Sequence, residues 1–111
     1  MRIKDELKKD EKQTFCANNG LVMRTIVTFF KRGWFKTNEL LNTLAAYELE
    51  TDDVIEAIDY FADRGYIQTR DAEAHEPVLP CDVDFEDLEI RLHANGVQLG
   101  RHLIDDIGID L

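Results

Sequence analysis

The stretch from Thr51 to Arg70 leaves the chain few choices. Val54, Ile55, Ile58, Phe61 and Ala62 recur at helical spacing and form one apolar stripe. A stripe of that kind has to be buried against another element. Thr51 caps the helix, and Asp52 and Asp53 fall in its first turn, where they complement the helix dipole. Gly65 suits the left-handed position that ends a helix. Tyr66–Ile67–Gln68–Thr69–Arg70 then alternates apolar and polar residues, as a half-buried strand does. A helix that passes into a strand through one glycine commits the chain to a mixed α+β core.

The other elements arrange themselves around this unit. Met1 to about Cys16 is charge-rich, with apolar residues only at Ile3, Leu7 and Phe15, and reads either as a short, weak helix or as a frayed terminus. Asn18–Asn19–Gly20 is expected to break it. A second helix follows over residues 21–31, with Leu21, Val22, Met23, Ile26, Val27, Phe29 and Phe30 making it apolar around most of its circumference. Trp34–Phe35–Lys36 is one turn of strand. Leu40, Leu41, Leu44 and Ala45 predict another helix, capped by Thr37 or Asn38 and reaching Tyr47. Leu88, Ile90 and Leu92 alternate with polar residues in a second long strand. It is expected to pair with 66–70 as an antiparallel hairpin. The connector 71–85, which holds both prolines, would form a long tip, and loops of that length are more often functional than ornamental. A last helix is expected over roughly 95–105. Two units result, a charged helical extension at 1–17 and a domain at 18–111.

With 111 residues the chain is long enough for one domain with a real core. Its net charge of −10 weighs against broad phosphate-backbone binding and against docking on an anionic membrane. That charge is unevenly placed. Residues 13–36 hold four bases and no acid, whereas 37–90 hold two bases and sixteen acids. Cys16 and Cys81 read as reduced thiols, and no apolar run is long enough to span a bilayer. A cytoplasmic protein without a membrane partner is expected.

Val54-x-x-x-Ile58-x-x-Phe61-x-x-x-Gly65-Tyr66-Ile67 resembles the third helix of a winged helix-turn-helix domain running into the first wing strand. Ile90-x-Leu92-x-x-x-Gly96-x-x-Leu99 looks like the second wing strand and closing helix of MarR- and PadR-like regulators, with His93 where that family usually has a Thr. The resemblance covers about residues 19–104. It implies a mostly α, α+β winged helix-turn-helix fold with a two-stranded wing, a long wing tip, and flanking N- and C-terminal helices. The ending, Ile104-Asp105-Asp106-Ile107-Gly108-Ile109, also resembles small winged-helix proteins of Mu-like phages and prophages, which implies a mobile-element origin.

In such a fold the third helix is the one expected in the major groove. Here its outer side is expected to carry Asp52, Asp53, Glu56, Asp59, Tyr60 and Asp63, and carboxylates would repel a phosphate array. Three readings follow. The acids are a solvated surface, or a docking face for a basic protein partner or a mimic of nucleic-acid charge that blocks a nucleic-acid enzyme, or they are bypassed by DNA binding through the basic first third. The third reading would use Lys31, Arg32 and Lys36 with Arg64, Arg70 and Arg91, helped by Lys8, Lys9, Lys12 and Arg24. The favoured expectation is a non-catalytic, dimeric interaction module, with a transcriptional regulator as the alternative. Ile3, Leu7, Leu103, Ile107 and Ile109 are expected to supply dimer contacts. His75, Cys81 and His93 lack the spacing of a zinc site, and no phosphate loop or catalytic grouping stands out. Hence no cofactor and no metal is expected.

Overall fold

A computed structural model describes residues 3–111, with side chains from residue 11 onward. Helix α1 spans Ile3–Phe29, strand β1 Phe35–Lys36, helix α2 Thr37–Leu44 and helix α3 Thr51–Asp63. Strand β2 (Ile67–Asp71), strand β3 (Leu88–Leu92) and helix α4 (Ala94–Gly100) follow. The fold is therefore α+β, with four helices and one antiparallel sheet among the described residues. The strand order is β1-β3-β2, so β1 adds a third strand to the expected hairpin. Ile90 pairs with Phe35 on one side and Thr69 on the other, and Glu89 pairs with Lys36 and Arg70.

Side chains from every helix and both long strands meet in one core. Val22, Met23 and Ile26 of α1 are fully buried with Leu40, Val54, Ile58, Phe61, Leu88, Ile90 and Leu99. Each side chain of this size contributes roughly 1.5–3 kcal/mol when removed from water. The apolar residues of 21–30 are not uniformly covered, because Phe29 is 66% exposed. Helix α3 ends as the sequence indicates. Gly65 has φ +73°, and Tyr66 N–H donates to the Phe61 carbonyl, closing the chain reversal that feeds β2.

Three expectations are corrected. First, Asn18–Asn19–Gly20 does not break the helix; α1 runs through it without interruption. The boundary expected between residues 17 and 18 thus falls inside a helix. The asparagine and glycine are present because the C-terminal tail crosses there. Asn19 Nδ2 donates to the Gly108 carbonyl at 2.9 Å, and a Cβ on Gly20 would lie 1.7 Å from the Asp110 carbonyl oxygen. Second, α4 ends at Gly100 and not near residue 105. His102 takes the left-handed conformation at φ +59°, and Leu103 N–H donates to the Gln98 carbonyl. That is the same reversal seen after α3, with a histidine in the glycine position. Third, the connector between β2 and β3 does not project as a tip. Thr69 and Val78 exchange hydrogen bonds, Ala72 N–H donates to Asp87, and Thr37 Oγ1 donates to the Phe85 carbonyl at 2.6 Å. Val78, Val83 and Phe85 are half-buried against the core, and the turns at Pro80–Asp82 and Phe85–Asp87 pack on α3 and α2. Of the expected dimer contacts, Ile109 is 6% exposed and belongs to the protein's own core. Leu103 and Ile107 are exposed. Ile3 and Leu7, like Lys8 and Lys9, lie outside the described side chains.

Candidate functional site

Helix α3 starts with an exchange that depends on its own acids. Asp53 accepts a hydrogen bond from the backbone N–H of Glu50, which sits at the cap one residue ahead of the expected Thr51. The helix presents Asp52, Glu56 and Asp63 to solvent, while Asp53 and Asp59 are half-buried. Asp53 and Glu56 border a shallow cleft shared with Phe15 and Asn18 of α1. Asp59 is raised above the usual carboxylate range by partial burial and then by the neighbouring Asp63. The connector extends the same negative surface, since Pro80–Asp82 packs on α3 and Asp82 is exposed.

Tyr60, expected on the outer side of α3, is half-buried against the tail. Its ring meets Phe15 edge-on at 5.4 Å, and its hydroxyl donates to Asp106 at 2.5 Å. Tyr66 donates to the other oxygen of the same carboxylate, also at 2.5 Å. Gly108 N–H adds a third bond at 2.8 Å, and Arg64 Nε lies 3.7 Å away. The Asp106 side chain is only 3% exposed. Burial by itself would raise its pKa, yet the two hydroxyls, the backbone N–H and the guanidinium hold it below the ordinary value. The same contact pushes Tyr66 up to about 12, through burial first and Asp106 second. Asp106 thereby fastens the tail to α3 and to Tyr66 just ahead of β2, while Asn19 of α1 holds it at Gly108. Cys16 contributes its carbonyl to Asp110 N–H and its thiol to the Ile107 carbonyl.

The cations expected to meet DNA separate into two groups. Arg64 lies 5.2 Å from the Tyr60 ring centroid and beside Asp106. Arg70 stacks 4.1 Å from the Trp34 ring centroid and pairs with the buried Glu89 at 2.7 Å. Arg91 lies 5.3 Å from the same ring and donates to Gln68. These three arginines are engaged inside the molecule. Lys31, Arg32 and Lys36 are exposed, and none joins an ion pair among the described residues. His75 turns toward Glu89 at 3.6 Å, whereas Cys81 is exposed beside Asp82.

The sequence located the α3 acids and missed Asp106. A visible signal existed in Asp106-x-Gly108, a carboxylate followed by a residue that lets the backbone approach closely. A Cβ on Gly108 would lie 2.4 Å from the Tyr60 hydroxyl oxygen. Comparison with protein-family models, with curated proteins and with solved structures finds no match to the chain.

Proposed function

We propose that the chain is a non-catalytic, winged-helix interaction module that binds a basic protein segment through the acidic surface of α3 and the adjoining connector. The element order from α1 to β3 and the strand order β1-β3-β2 support the winged-helix reading. The phage or mobile-element origin belongs to the same reading and rests on the tail residues alone. One observation carries the function. Asp52, Glu56 and Asp63 are exposed and enter no ion pair among the described residues, while Arg64, Arg70 and Arg91 are held by internal partners. The helix that this fold offers to DNA therefore presents unpaired negative charge, and the arginine at its end is already engaged. Phosphate binding needs the opposite arrangement.

The test compares a lysine-rich peptide with a random DNA duplex at low salt, followed by amide chemical shifts. The peptide should shift amides of residues 51–64 and 80–82, with binding that weakens as salt rises. The combined change Asp52→Lys, Glu56→Lys, Asp63→Lys should abolish those shifts while leaving the fold intact. Duplex binding that is tight, steeply salt-dependent and lost on charge reversal of Lys31, Arg32 and Lys36 refutes the proposal and favours a DNA-binding regulator. Peptide shifts scattered over all acidic segments refute it too.

A further inference from the structure

Every one of the 23 acids lies outside two stretches of the chain. Residues 12–38 contain none, and neither do residues 90–104. These stretches are far apart in sequence, yet the fold brings them together. Helix α4 packs on α1 so closely that a Cβ on Gly100 would lie 2.6 Å from the Val27 side chain. Beside this contact is a cleft of about 350 Å³. Half-buried Val27, Leu92 and Val97 line it, together with the exposed cations Lys31, Arg32 and Arg101. No acid contributes to the lining, and none of the three cations joins an ion pair among the described residues.

We infer that this cleft binds a small organic carboxylate with an aliphatic body. The volume is at the lower end of the range for small-molecule sites, which combine an apolar lining with a few placed polar groups. The valine and leucine surface takes the hydrocarbon, and the three cations take the carboxylate. Arg32 and Arg101 can each grip two oxygens at once, which Lys31 cannot. A nucleic acid is a poorer occupant on two counts. Its phosphates have no use for the apolar lining, and a polyanion would meet the remaining negative charge of the molecule. A single carboxylate brings one charge to a cleft whose lining holds no acid.

The test titrates the full chain with hexanoate, and with acetate and hexan-1-ol as partners lacking one half of the ligand, following methyl and amide shifts. Hexanoate should shift Val27, Leu92, Val97 and Gly100 at sub-millimolar to millimolar concentration. Acetate and hexan-1-ol should each bind at least tenfold more weakly. The combined change Lys31→Gln, Arg32→Gln, Arg101→Gln should weaken hexanoate at least tenfold without altering the thermal midpoint, and Val97→Gln should weaken hexanoate and leave acetate unchanged. Equal binding of hexan-1-ol overturns the charge assignment, and equal binding of acetate overturns the apolar one. Absence of cleft shifts up to about 10 mM, a concentration that corresponds to negligible affinity, overturns the site. So does a short duplex that shifts the same residues more strongly than hexanoate.

Discussion

Replacing Asp106 by Asn should be the most informative single change. The side chain is isosteric, so the tail loses charge and not volume. The native carboxylate accepts from Tyr60, Tyr66 and Gly108 N–H and lies beside Arg64. Hydrogen bonds to charged groups contribute about 1.5–3 kcal/mol each. The amide retains one accepting oxygen, and its NH₂ now faces a hydroxyl or the Arg64 guanidinium. A loss of about 2–4 kcal/mol is expected near neutral pH. That is a large share of the roughly 5–15 kcal/mol that holds a domain of this kind together. The chain has one tryptophan, Trp34, with Arg70 and Arg91 near its ring, so urea unfolding can be followed by its fluorescence. The pH dependence provides the control. The pKa of Asp106 is lowered in the folded state, so its contribution is complete above the ordinary value of 3.8 and is lost as pH falls through the folded value. The gap between wild type and Asp106→Asn should therefore narrow as the pH falls below 3.8 and through the lowered folded value. A difference within about 0.5 kcal/mol near neutral pH would refute the fastening role, since that is the scatter of ordinary surface substitutions. A gap that stays constant with pH would refute the electrostatic account.

Three further outcomes follow. Gly20→Ala should destabilise by about 2 kcal/mol or more in the same assay, although alanine normally gains about 1 kcal/mol over glycine inside a helix; the Asp110 carbonyl occupies the space of the new methyl. Raising the pH from 10 toward 12 should erode stability progressively, because Tyr66 ionises more readily in the unfolded chain than in the fold; Tyr66→Phe should remove that part of the alkaline loss. Glu89→Gln should cost about 1–3 kcal/mol, since it strips the charge from a buried partner of Arg70, and the Trp34 emission should shift as Arg70 is released.

Strong local patterns carried most of the secondary structure. The stripe of α3, its glycine stop and the alternation in both long strands are short-range signals, and each element forms where its residues indicate. The failures share a cause. Asn18–Asn19–Gly20 reads locally as a helix breaker, and propensity alone gives no reason to continue. The helix continues because Asn19 binds the Gly108 carbonyl and Gly20 makes room for Asp110, contacts about 90 residues away in sequence. Tyr60 reads as an exposed position on the acidic side until Asp106 and Phe15 cover it. The connector reads as a free tip because Val78, Val83 and Phe85 are too sparse to show a period.

By itself the sequence determined the mixed α+β class, the acidic character of α3 and the two stretches without acids. These are local or additive properties, and folding does not change which residues bear charge. Tertiary structure decided which of the charges remain available. It tied Arg64, Arg70 and Arg91 to internal partners and left Asp52, Glu56 and Asp63 in solvent. It also joined Lys31 and Arg32 to Arg101 around one cleft. The physical reason is range. A helix or strand is set within a few residues, but the pairing of a charge depends on which distant segment the apolar core brings beside it.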